Sequence, residues 1–115
     1  MGYVFISYAH EDRLRVEPLV SFLETQGISV WWDDKIHPTT KWRQVITNKL
    51  DQAACVLVVW SLYSVESDFV LDEAQTGLDR GTLLSVCLDR VRIPLGFGQD
   101  QAVNLSGQDP LLLNR

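Results

Sequence analysis

Groups that could hold a metal or a disulfide are few in this sequence. There are two cysteines and two histidines. His10 and His37 lie far apart, and no Cys/His spacing resembles a zinc site. Cys55 and Cys87 each sit inside an apolar, strand-like run, which reads as buried core thiols rather than a disulfide or a redox pair. Long hydrophobic runs are missing too. The longest, Ala53 to Trp60, falls far short of the roughly 20 residues that span a bilayer. Met1-Gly2-Tyr3-Val4 carries no basic stretch leading into a long apolar segment, so no secretion signal is visible. Positive charge is also scarce, with 10 Lys and Arg against 15 Asp and Glu, a net charge of −5. The basic residues are scattered, and an acidic chain without a basic patch repels a phosphate backbone. Direct nucleic-acid binding is therefore a poor reading. A reducing cytoplasm and no membrane attachment fit all of these absences.

What is present is an ordinary globule's composition, 46% hydrophobic and 22% charged over 115 residues, enough for one domain and too little for two. Tyr3 to Tyr8 is nearly continuously apolar, as a strand buried on both faces should be. Val16, Leu19, Val20 and Leu23 follow helical spacing, and Gly27 ends that helix. Pro18 predicts that the regular helix begins near Glu17 or kinks there. Ile28 to Trp32 reads as a second strand, with Trp31 and Trp32 as strand core and flank. Thr39 or Thr40 then caps a helix whose stripe is Trp42, Val45, Ile46, Leu50 and Ala53. Ala54 to Trp60 is the third, central strand. Ser67 caps a third helix that runs to about Arg80 and stops at Gly81, with a core stripe of Val70, Ala74 and Gly77-Leu78. Thr82 to Leu88 is a fourth strand. The Gly- and Gln-rich stretch from Asp89 to Gly107 holds one short edge strand around Ile93-Pro94-Leu95. Asp109-Pro110 looks like a helix start that is cut off at Arg115, so residues 1–115 are expected to be the N-terminal part of a longer protein.

Alternating strands and helices predict an α/β fold: a doubly wound, flavodoxin-like parallel sheet of about five strands flanked by helices, the last helix truncated. Ligands in such folds collect at the carboxyl ends of the strands. That edge carries Ser7-Tyr8-Ala9-His10, Asp33-Asp34-Lys35, Trp60-Ser61 and Ser67. A phosphoacceptor receiver would need acids after the first and third strands, where Ser7-Tyr8 and Trp60-Ser61 stand instead. A dinucleotide or P-loop cradle would need glycines after the first strand, and none is there.

Five ordered blocks resemble the Toll/interleukin-receptor (TIR) family across nearly the whole chain. Val4 to Asp12 resembles its F-I-S-Y strand and polar turn, and Val30-Trp31-Trp32-Asp33-Asp34 its second strand and loop head. Ile36 and Trp42 fall on an I-x-x-G-x-x-W pattern. Val56 to Ser61 resembles the third strand with its terminal serine. Tyr63 and Ser64 precede Ser67, Phe69 and Glu73, which keep the spacing S-x-W-x-x-x-E. Thr39 replaces the loop glycine, and Phe69 replaces the tryptophan.

The resemblance implies the TIR fold over residues 1–115 and an assembly-dependent NAD hydrolase or cyclase of the bacterial effector type. It implies Glu73 as the catalytic residue. The substrate pocket would draw on Ser7, Tyr8, His10, Asp33, Lys35, Trp42, Ser67 and Phe69. Trp42 serves mainly to anchor its helix and secondarily to close the pocket. NAD enters as substrate, with no further cofactor and no metal. The implied partners are other TIR domains and a C-terminal sensor domain of the same protein, in a cytoplasmic antiphage role, with ADP-ribose or a cyclic isomer as product. Two other readings stand beside this one: a non-catalytic scaffold that recruits TIR domains through the Asp33–Lys41 loop, and a nucleoside hydrolase or deoxyribosyltransferase on a similar sheet. One clue in the residues themselves favours a site: Phe69 and Glu73 are four apart on a helix, so ring and acid share a face.

Overall fold

The computed structural model describes residues 2–32, 40–97 and 103–105. Five strands, β1 (Val4–Ser7), β2 (Val30–Trp31), β3 (Cys55–Trp60), β4 (Leu83–Cys87) and β5 (Val103–Asn104), form one sheet in the order β2-β1-β3-β4-β5. Every neighbouring pair is parallel. This is the doubly wound arrangement expected from the alternation of elements. Helix α1 (Arg13–Thr25) covers one face, and α2 (Thr40–Gln52) and α3 (Asp68–Arg80) cover the other.

The strands alternate between two cores, as a period of two demands. Phe5, Val56, Val58 and Trp60 point toward α2 and α3 and pack with Leu50, Val70 and Ala74. Ile6, Tyr8, Leu57 and Val59 point the other way and pack with Val16 and Val20 of α1. Trp60 is fully buried; its indole N–H donates to Ser85 Oγ at 3.1 Å, so its polar edge is satisfied inside the core.

Helix α1 departs from the sequence reading. It starts at Arg13 and runs through Pro18. A short 3₁₀ turn, His10–Asp12, leads into it and fixes its direction early. The N–H that Pro18 lacks would have bonded the Leu14 carbonyl, and both residues are on the exposed side of the helix, where water can take the orphaned acceptor. Its C-terminus follows the expectation. Gly27 has φ of +82°, Gly27 N–H donates to Glu24 O and Ile28 N–H to Leu23 O, the paired bonds of a Schellman end.

The edge strand also lies elsewhere than expected. Residues 93–97 form a turn: Phe97 N–H bonds Pro94 O, and Ile93 and Phe97 are buried beside Trp60. Pro94 cannot donate to a ladder, and the fifth strand is instead Val103–Asn104 beside β4. The helix start at Asp109-Pro110 lies outside the described residues.

Helix α3 sits unusually close to the sheet. A Cβ added at Gly77 would lie 2.9 Å from Val56 Cβ, and Ala74 beside it is fully buried. Leu78, read above as part of the core stripe, is 41% exposed; the buried stripe is Val70, Glu73, Ala74 and Gly77. Overpacking costs about 1–3 kcal/mol, and alanine returns about 1 kcal/mol of helix propensity over glycine. Gly77→Ala should therefore destabilise the domain by about 1 kcal/mol in urea unfolding, and Gly77→Val by more. An alanine variant as stable as the parent would contradict this packing.

Candidate functional site

Helix α3 carries the central acid. Ser67 Oγ accepts from Val70 N–H at 3.3 Å and caps the start of the helix. Six residues on, Glu73 reaches the end of β1 because Ala74 and Gly77 leave no bulk between helix and sheet. There Ser7, fully buried, donates its Oγ proton to Glu73 Oε1 at 2.6 Å. Glu73 itself is only 4% exposed. The acid thus belongs to the buried stripe with Val70, Ala74 and Gly77, a stripe that the sequence reading had drawn without it. Burial of a carboxylate costs several kcal/mol, and the Ser7 bond, charge-assisted, offsets about 1.5–3 kcal/mol of it. A group that weighs on the fold in this way is a candidate for function.

Beside Glu73 runs a groove of about 540 Å³ between α2 and α3, within the range of small-molecule sites. From α2 it is lined by Arg43, Ile46, Thr47 and Leu50, the i, i+3, i+4, i+7 face of that helix. From α3 come Phe69, Asp72, Glu73 and Thr76. Phe69 is 48% exposed, so a ring face is open to a ligand beside a nearly buried carboxylate.

The structure therefore brings Glu73, Ser7 and Phe69 together. Others of the expected pocket residues are not among those lining the groove. Tyr8 turns to the α1 face, the consequence of alternation after Ser7: its hydroxyl donates to Trp32 O and accepts from Arg13 Nη1, both at 3.0 Å, and it is 2% exposed. Arg13 also stacks its guanidinium 4.4 Å from the Trp32 ring centroid. His10 is exposed on the 3₁₀ turn. Ser67 is engaged as a cap. Trp42 is half-buried in the first turn of α2 and does not line the groove. Asp33 and Lys35 lie outside the described residues. Arg43 and Thr47 escaped the sequence reading, although they flank the apolar stripe Ile46 and Leu50 on the same helix.

A second polar cluster, also missed, joins the carboxyl ends of β3 and β4 to α1. Asp12, fully buried, accepts from Ser61 Oγ. Ser64 Oγ donates to Val59 O and accepts from Ser61 N–H, both at 2.7 Å. Arg15 bridges to Asp12 at 3.2 Å and forks onto Asp89 at 2.7 and 3.2 Å. Asp89 also accepts the Leu62 N–H at 2.9 Å. The contacts that tie the cluster together, Asp12 with Ser61, Arg15 with Asp89 and Leu62 with Asp89, link residues 27 to 74 positions apart, so no local pattern announces them. They occupy the strand-end positions where the sequence had placed Trp60-Ser61 as candidate lining.

Burial pushes the Cys55 and Cys87 thiols up, and both are free. Among the described residues no helix is long and apolar enough to cross a membrane.

A family model described as "TIR domain" matches residues 4–112. Among solved structures, the TIR domain of the Toll-related receptor TRR-2 of Hydra magnipapillata superposes with a TM-score of 0.79 at 22% identity, over 99% of this chain and 94% of that one. A 2-deoxyribosyltransferase of Bacillus psychrosaccharolyticus superposes with a TM-score of 0.70 at 11% identity, over 96% and 95%. At such identities the two structures speak for the fold alone. No curated protein matches the chain.

The Arg15 fork, followed by the Leu62 N–H, holds the Asp89 carboxyl below its usual value of 3.8, against a smaller upward push from burial. A depressed folded pKa means stabilisation that is complete above the unfolded value and is lost as pH falls through the folded one. Relative to Asp89→Asn, the parent should be more stable by about 0.5–1 kcal/mol at pH 7, as a solvent-screened pair allows, with the gap closing below about pH 4. Urea midpoints of both proteins across pH 3–7 check this; a gap that does not change with pH would contradict it.

Proposed function

The chain belongs to the TIR domain family, and within that family we propose that it is an enzyme that breaks the nicotinamide–ribose bond of NAD, with Glu73 as the catalytic residue. The observation that carries the proposal is the carboxylate itself. Glu73 is nearly buried, its carboxylate is held by Ser7 Oγ at 2.6 Å, and the residue lines a groove of ligand size beside a half-exposed aromatic ring.

The chemistry of the bond explains why one acid is enough. Nicotinamide departs as a neutral pyridine, so no general acid is needed to protonate it, unlike the leaving group of an ordinary glycoside. The bond's electron pair leaves with the ring nitrogen, and positive charge grows on the ribose. A fixed carboxylate facing that ribose stabilises the oxocarbenium-like transition state more than the ground state. In a site where little water reaches the carboxylate, that attraction is stronger than in bulk solvent. Ser7 is a positioning residue, since its hydroxyl fixes the rotamer of Glu73 without facing the sugar. Phe69 offers its ring face to the nicotinamide. Water then adds to the ribose to give ADP-ribose, or an internal nucleophile closes a cyclic isomer.

The proposal extends to setting and partners. TIR domains commonly self-associate, and the activity is proposed to switch on in an assembly in which a neighbouring copy completes the pocket, driven by a sensor domain of the same protein. The cytoplasm, where thiols such as Cys55 and Cys87 stay reduced, is the proposed location, and antiphage defence the proposed role.

Concentrated or crowded protein incubated with NAD should release nicotinamide. Glu73→Ala and Glu73→Gln should lower the rate by about 100-fold or more. Because the glutamine variant removes a buried charge while keeping an acceptor for Ser7, its unfolding midpoint should be equal to or above the parent's. Undiminished release by both variants would remove Glu73 from the reaction. No release under any assembling condition would favour the non-catalytic scaffold, and turnover of free nucleosides alone would favour a nucleoside-processing enzyme.

A further inference from the structure

The groove beside Glu73 is unevenly charged. Asp51, Asp68 and Asp72 line it together with Glu73, whereas Arg43 is the one cation among its lining residues. Such a surface repels an anion everywhere except at one point. Helices α2 and α3 each follow a strand of the same parallel sheet, so both begin at its carboxyl edge. Arg43 is the fourth residue of α2, and Phe69 and Glu73 are the second and sixth of α3. Counted from the helix starts, Arg43 and Glu73 are two positions apart, and both line the same groove. Among the described residues Arg43 makes no hydrogen bond or ion pair, although carboxylates line the same groove. Its planar fork is free to meet a phosphate in two parallel bonds.

We propose that Arg43 is the anion-binding residue of this groove and takes the diphosphate of the dinucleotide while Glu73 faces the ribose. The inference rests on the NAD reading and sharpens it. The diphosphate hangs from C5′ of the same ribose whose C1′ bond breaks, so one cation in the same groove as Glu73 defines the orientation of the sugar. The remaining carboxylates favour the other pole of the ligand, the cationic pyridinium beside Phe69. A ligand with one positive and one negative end thus enters in one direction only, and the acidic lining rejects purely anionic nucleotides. Arg43 specifies the substrate class: a pyridinium nucleoside bearing a 5′-diphosphate.

Two measurements on the full chain test this. In the first, nicotinamide release is followed from NAD and from nicotinamide riboside, which has the same scissile bond and no phosphate. Arg43→Gln should lower the ratio of kcat/KM for NAD to that for the riboside by about tenfold, the scale of one charged hydrogen-bonded contact. An equal fall on both substrates, or none on either, overturns the assignment. In the second, inorganic pyrophosphate is titrated while the amide resonances of α2 are recorded. The parent should shift at and around Arg43, and Arg43→Gln should weaken binding at least about fivefold; equal binding by both proteins overturns the assignment. Absence of any nicotinamide release by the parent would contradict the NAD reading alone, and the pyrophosphate titration would still decide the role of Arg43.

Discussion

Helix α3 lies so close to the sheet at Gly77 and Ala74 that a glutamate one turn earlier is pressed against the end of β1. The Ser7–Glu73 hydrogen bond at 2.6 Å is the product of that closeness. A larger side chain at either small position would push α3 outward, and the carboxylate would then swing into water or lose its partner. Fold and site are therefore one problem here. The packing that gives the helix its place also fixes the acid's rotamer, and burial of a charge makes the arrangement costly to the fold. Retaining it makes sense where the charge has a task.

Charge is distributed to match. On the α1 side of the sheet, Asp12, Arg15 and Asp89 neutralise one another in a clamp on the strand ends. On the other side, the groove beside Glu73 keeps its carboxylates and a single guanidinium uncancelled by the clamp. The first arrangement stabilises, whereas the second is suited to binding. Family membership alone is compatible with both enzymes and scaffolds, so the functional reading depends on this difference in local electrostatics rather than on the sheet.

Much of the fold was legible because it depends on local pattern. Near-continuous apolar runs such as Cys55–Trp60 marked buried parallel strands, and Gly27 and Gly81 marked helix ends through the left-handed conformation each adopts. Pro18 misled as to where α1 begins, because its penalty depends on where the helix meets water, which local pattern does not report. Ile93-Pro94-Leu95 misled because Ile93 is buried with Trp60 and Phe97 as part of a turn, while Leu95 is exposed on it. For the candidate site, the i, i+4 spacing placed Phe69 and Glu73 on one groove, and the motif resemblance pointed to Glu73. The Ser7 contact needs a sequence separation of 66, and no periodicity reaches that far. Tyr8 shows the reverse case: one step along a strand changes the face, so adjacency to Ser7 in sequence took it away from Ser7's partner.

The central claim is that Ser7 acts on catalysis only through the carboxylate it holds. A double-mutant cycle on single-turnover nicotinamide release, run at high enzyme concentration so that slow rates can be read, tests it directly. Ser7→Ala alone should slow release by about tenfold. Added to Glu73→Gln, the same substitution should change the rate little, because the group it positions is already gone. Two losses that simply multiply would show the serine and the glutamate acting independently, and would contradict the account.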